Sequence, residues 1–123
     1  MALYESGQMY LETIYILSQR MARVRAIDVG EELGFSKPSV SRALGILKRG
    51  GYVESDESGS LTLTEAGLEV AQMIYERHEV LTKLLLKLGV SEDTAAEDAC
   101  RMEHVISDMT YEAIRRHILK TDD

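Results

Sequence analysis

Apolar residues recur at helical spacing along most of the chain. Tyr10, Ile14 and Leu17 fall at i, i+4 and i+7, thickened by Leu11, Tyr15 and Ile16, and predict a helix from about Tyr4 to Gln19. A shorter pattern, with Ile27, Val29 and Leu33 as its apolar positions, predicts a helix over Val24–Leu33 that stops at Gly34. After a turn at Phe35-Ser36, a third helix is expected from Lys37 to Arg49. Ser36 is its N-cap, Pro38 lies in its first turn, and Val40, Ala43, Leu44 and Leu47 form its buried face. Gly50-Gly51 ends it.

The period then changes. Tyr52-Val53-Glu54 and Leu61-Thr62-Leu63 are short alternating runs on either side of a polar, glycine-containing stretch, the signature of a β-hairpin. Thr64 caps a long helix expected to reach Leu88, with Leu68, Ala71, Tyr75, His78, Leu81, Leu85 and Leu88 on one stripe. Gly89-Val90-Ser91 breaks it. Two more helices follow, from about Glu92 to Val105 and from a cap at Ser107 to Leu119. The fold class is mainly α with a small β-hairpin wing: a winged helix-turn-helix over 1–64, then a helical domain over 65–123.

In this architecture the second helix of the pair enters the major groove of DNA, its N-terminal residues meeting base edges. Ser36, Lys37, Pro38, Ser39, Ser41 and Arg42 are the candidate contacts, with Arg25, at the start of the preceding helix, facing the phosphate backbone. Composition at first opposes this, because the 123 residues carry a formal net charge of −7 and phosphate contacts need Lys and Arg. The distribution reverses the objection. From Arg20 to Gly51 seven basic residues stand against three acidic ones, a local +4, which leaves −11 on the rest. The hairpin carries Glu54, Asp56 and Glu57, an acidic tip that phosphate repels. A plain helical bundle with a hairpin, or a winged helix serving as a protein-interaction module, has the same element order.

Cys100, Glu103 and His104 stand at i, i+3 and i+4, so on a helix they share one face. Thiolate, carboxylate and imidazole together suit a divalent transition metal. A buried cysteine beside a surface Glu-His pair has the same spacing. His78 lies on the stripe of the long helix, where a lone histidine is ordinarily a hydrogen-bonded core residue. Met9 and Glu12 share a face of the first helix, and a carboxylate beside an apolar stripe is expensive to bury unpaired. If the three helices meet, these donors converge. The soft donors Met9 and Cys100 disfavour manganese, magnesium and calcium, and suit iron(II), zinc, cobalt or nickel. No His-Glu-x-x-His motif or nucleophile–base pair is present, so an enzyme is not expected. The single cysteine, the lack of a basic stretch leading into an apolar run, and the lack of any apolar run near ~18 residues predict a cytoplasmic protein without a membrane partner.

The stretches Met9-Tyr10-Leu11-Glu12-Thr13-Ile14-Tyr15, Ser39-Val40-Ser41 and Asp98–Asp108 resemble the diphtheria-toxin-repressor family of iron- and manganese-dependent regulators. The similarity covers nearly the whole chain. It implies a homodimer that binds a double-stranded operator when metal is bound, with Met9, Cys100, Glu103 and His104 matching the primary site of the iron-type members. His78 matches a histidine used by both types, and Glu12 a carboxylate of the manganese-type binuclear site, so one or two metals are open. Thr82 and Ala96 stand where iron-type members place ancillary ligands, with Glu79 as a substitute candidate. The manganese-type members place carboxylates where Met9 and Cys100 stand. The resemblance implies the short two-domain form, without the SH3-like domain of long iron-type members. It implies iron(II) as the activating metal and manganese(II) next, with metal tying the first helix to the ligand-bearing helices. Leu84, Leu88, Ile114 and Ile118 are candidates for the dimer surface. A metal-independent winged-helix regulator is the remaining alternative.

Overall fold

The computed structural model describes residues 5–121. In chain order it contains α1 (Glu5–Ser18), α2 (Ala26–Leu33), α3 (Lys37–Arg49), β1 (Val53–Ser55), β2 (Leu61–Leu63), α4 (Glu65–Lys87), α5 (Glu92–Met102) and α6 (Asp108–Thr121). The chain divides into two compact units, Met1–Gln72 and Met73–Asp123. The expected start of the first helix at Tyr4 lies outside the described residues. No helix among them is long and apolar enough to cross a membrane.

The first unit is a winged helix-turn-helix. Its core joins Tyr10, Leu11, Ile14 and Leu17 of α1 to Val29 of α2, Val40, Leu44 and Leu47 of α3, Val53 and Leu61 of the hairpin, and Ala71. Gly34 closes α2 in the left-handed region, with φ 72°, and its N–H donates to the Gly30 carbonyl at 2.8 Å; a side chain there is strained. Ser36 accepts the Ser39 N–H at 3.3 Å and opens α3, with Pro38 in the first turn. The hairpin is antiparallel, with Val53 opposite Leu63 and Ser55 opposite Leu61. Thr64 accepts the Gly67 N–H at 3.1 Å and starts α4.

Two expectations in this unit shift. The second helix begins at Ala26, not Val24, and Val24 instead accepts the Leu61 N–H at 2.7 Å, tying the loop to the wing. Ile27 is 53% exposed, since an eight-residue helix has room for little beyond Val29 on its covered side.

In the second unit, Ile74, Leu81, Ala95, Ala99, Tyr111 and Ile118 are buried. The covered side of the long helix departs in part from the expected stripe: Leu68 and Leu88 are exposed, whereas Ile74 and Arg77 are buried. Ile118, a dimer-surface candidate, is only 2% exposed within the single chain, so it is occupied by packing. The fifth helix ends at Met102, three residues earlier than expected, and residues 103–107 turn the chain into α6.

Candidate metal centre and nucleic-acid face

The ligand segment begins where α5 ends. Glu103 is the C-cap residue and its N–H still reaches the Ala99 carbonyl at 2.9 Å. Its carboxylate is fully buried. Oε2 hydrogen-bonds His78 Nδ1 at 2.9 Å, and Oε1 lies 3.3 Å from His104 Nε2. Three sequence candidates thus meet in the second unit as two imidazoles flanking one carboxylate. The hydrogen bond that the Glu103 carboxylate accepts raises the His78 pKa above its ordinary value; burial opposes this, and the charges of Glu103 and Glu79 reinforce it.

Cys100 sits differently. It is exposed on α5 while Glu103 is buried, the reverse of a buried cysteine beside a surface Glu-His pair. In the first unit, Glu12 is buried and Met9 half-buried on α1.

On the candidate DNA face, Lys37, Pro38, Ser41 and Arg42 are exposed along the first two turns of α3. Ser36 and Ser39 are engaged with each other, their hydroxyls 3.0 Å apart. Arg25 is exposed at the start of α2, its N–H donating to the Asp28 carboxylate at 2.9 Å. Two members of the basic stretch have internal partners: Arg20 pairs with Glu32 at 3.8 Å, and Arg23 bonds the wing serines, Ser60 at 3.0 Å and Ser58 more closely. Asp56 is consumed in the wing turn, where Oδ1 accepts from Ser58 N–H, the Ser58 hydroxyl and Ser60 N–H; these bonds hold its carboxyl below the ordinary value.

A sequence profile described as "iron dependent repressor, N-terminal DNA binding domain" matches residues 2–61, and one described as "iron dependent repressor, metal binding and dimerisation domain" matches residues 64–122. The chain belongs to the iron-dependent repressor family. Its members are metal-dependent DNA-binding transcriptional repressors. The chain is 37% identical over 106 residues to the transcriptional regulator MntR of Escherichia coli, covering 86% of this chain and 68% of that one. It is 32% identical over 107 residues to the diphtheria toxin repressor of Corynebacterium diphtheriae, covering 86% of this chain and 47% of that one. Among solved structures it matches a manganese-dependent transcriptional repressor in complex with manganese, with TM-score 0.84, 27% identity, and coverage of 91% of this chain and 52% of that one. The chain therefore spans about half the length of the last two.

The donor chemistry of the second unit fits the divalent metal this repressor family implies. Imidazole nitrogens and carboxylate oxygens are borderline-to-hard donors suited to first-row divalent ions. A carboxylate buried as fully as Glu103 is costly unless a cation meets it. One buried residue beside these donors escaped the sequence reading. Arg77, 7% exposed, reaches the carbonyls of Glu103 and Ile106 and the carboxylate of Asp108. Its only sequence signal is position, since it immediately precedes His78.

Proposed function

We propose that this chain represses transcription as a homodimer whose binding to a double-stranded operator is strengthened by a divalent metal, thereby controlling metal-ion homeostasis genes. The observation that carries the reading is the meeting of His78, Glu103 and His104 around one buried carboxylate in a chain that also holds a winged helix-turn-helix. Cys100, Met9 and Glu12 join the ligand set on sequence resemblance, and Glu79 is the substitute for missing ancillary ligands. Lys37, Ser41 and Arg42 are the groove-facing residues of α3, with Pro38 against a thymine methyl, Ser36 and Ser39 ordering the helix start, and Arg25 on a phosphate. Iron(II) is the favoured metal, because a thiolate and a thioether are soft donors. A reducing cytoplasm keeps both iron and Cys100 in the state this needs.

One observation favours manganese(II) instead. Cys100 is exposed, while the fully buried donor is the Glu103 carboxylate, an oxygen ligand of the kind that suits manganese.

Two measurements test these readings. Fluorescence anisotropy of duplexes selected by the protein from a random pool, with chelator or with anaerobic iron(II) or manganese(II), should show metal-dependent affinity. By linkage, DNA should raise metal affinity by the same factor. Equal DNA affinity with chelator and with both metals overturns the coupling. Anaerobic competition between the two metals, on wild type and Cys100→Ser, decides the metal: a wild-type preference for iron(II) that the variant loses supports the iron reading, and a wild-type preference for manganese(II) supports manganese.

A further inference from the structure

Arg77 is a charged side chain on the covered side of α4, and it is buried where a hydrophobe would cost less. Its surroundings explain its retention. Nη1 donates to the carbonyl oxygens of Glu103 at 3.4 Å and Ile106 at 3.2 Å, and Nη2 pairs with the Asp108 carboxylate. The guanidinium carbon lies 4.9 Å from the centroid of the Tyr111 ring. Three groups of the turn between α5 and α6 therefore converge on one fork.

Helix ends leave carbonyls without intrahelical partners, and the common solution is a left-handed glycine cap. No glycine follows α5; residues 103–107 read Glu-His-Val-Ile-Ser. Arg77 supplies the missing donors from another helix. The next residue on α4, His78, takes the Glu103 carboxylate. Consecutive residues of α4 thus fix Glu103 at its main chain and at its side chain. Asp108 balances the guanidinium charge, so an adjacent cation site is spared an unpaired positive neighbour.

We propose that Arg77 is a positioning residue for the metal centre: its planar fork sets the backbone of the 103–108 turn, so that Glu103 and His104 present their donors to a divalent ion in one arrangement. This rests on the reading that His78, Glu103 and His104 bind metal. Lysine does not replace it, because a single ammonium on a flexible stem cannot span three acceptors in a plane.

The test uses the full chain and cobalt(II), whose visible absorption bands report the symmetry of its ligands. Arg77→Met should lower cobalt(II) affinity by about 10- to 100-fold, the usual effect of losing an outer-sphere partner, and Arg77→Lys by about 10-fold, both with altered bands. Ile118→Ala, which removes packing on α6, serves as the structural control: it should lower the melting temperature yet leave affinity within about twofold and the bands unchanged. Should Arg77→Met fail to fold, Arg77→Lys carries the comparison. Wild-type affinity and bands in the Arg77 variants overturn the proposal, as does an equal loss of affinity in Ile118→Ala. Absence of cobalt(II), iron(II) and manganese(II) binding by the wild type overturns the metal reading itself, and the proposal with it.

Discussion

His78 Nδ1 lies 2.9 Å from Glu103 Oε2, although 25 positions separate the two residues. A carboxylate so enclosed is an expense in the metal-free protein and an asset once a cation arrives. Glu103→Gln separates the two states. The metal-free variant should be as stable as wild type or more so, because an ionised buried group is gone. A ligand at 100 times its Kd adds about 2.7 kcal/mol to the wild type, and the variant should lose nearly all of that gain. Thermal melts with chelator and with manganese(II) check both halves; a variant whose Tm still rises with metal contradicts the assignment.

On the DNA face, capping and contact should come apart. Ser36→Ala removes the acceptor for the Ser39 N–H and should cost about 1 kcal/mol of stability, read by urea denaturation. Arg42 is exposed one turn further on, so Arg42→Ala should leave stability nearly unchanged. If Arg42 reads a base edge, operator affinity falls by about 1–3 kcal/mol with relaxed specificity; if it contacts phosphate, the salt slope drops by about one. Anisotropy across a salt series distinguishes these, and unchanged affinity removes Arg42 from the interface.

The elements that could be read from sequence are those fixed by neighbours in the chain. Ser36 with Pro38, Gly34 after Leu33, Thr64 before Gly67 and the alternation around the hairpin each act within a few residues. What could not be read depends on distant partners. Arg77 is buried because carbonyls 26 and 29 positions away need its donors. The fifth helix lacks a breaker after Met102, so spacing alone carries it on to Val105, three residues beyond its end. Ile27, Leu68 and Leu88 carry the right residue type at the right period, yet they stay exposed among the described residues. The meeting of His78 with the Glu103–His104 pair was legible only through the resemblance of the Asp98–Asp108 stretch, because helical periodicity does not encode which helices touch.

Gly67 illustrates a close approach that sequence alone does not announce. It lies in the first turn of α4, and a Cβ there would fall 2.1 Å from the Tyr52 carbonyl oxygen and 3.0 Å from its carbon. That oxygen already accepts the Thr64 N–H at 3.1 Å, and Thr64 Oγ1 donates to the Gly51 carbonyl at 2.6 Å, so backbone would have to move against two hydrogen bonds. Gly67→Ala should therefore destabilise by roughly 3 kcal/mol, the upper end for overpacking, despite alanine's better helix propensity. A variant that melts at the wild-type temperature would show that α4 and the hairpin separate freely.

Tyr111 gives the protein an alkaline limit. Its hydroxyl donates to Glu76 at 3.2 Å, and burial, followed by the charge of Glu76, pushes its pKa up to about 12 from the ordinary 10.0. Below pH 10 the ring is neutral in both folded and unfolded chains, so the shift contributes no pH dependence. Between the two values the unfolded chain releases the proton and the folded one keeps it. The folded state then binds more protons, and stability falls as pH rises. Tyr111→Phe cannot ionise and should be flatter over that interval, while losing about 1 kcal/mol near neutral pH with its hydrogen bond. Urea midpoints of both proteins from pH 8 to pH 12 measure the difference. The wild type should lose its advantage as pH rises, and parallel curves would place Tyr111 in contact with solvent.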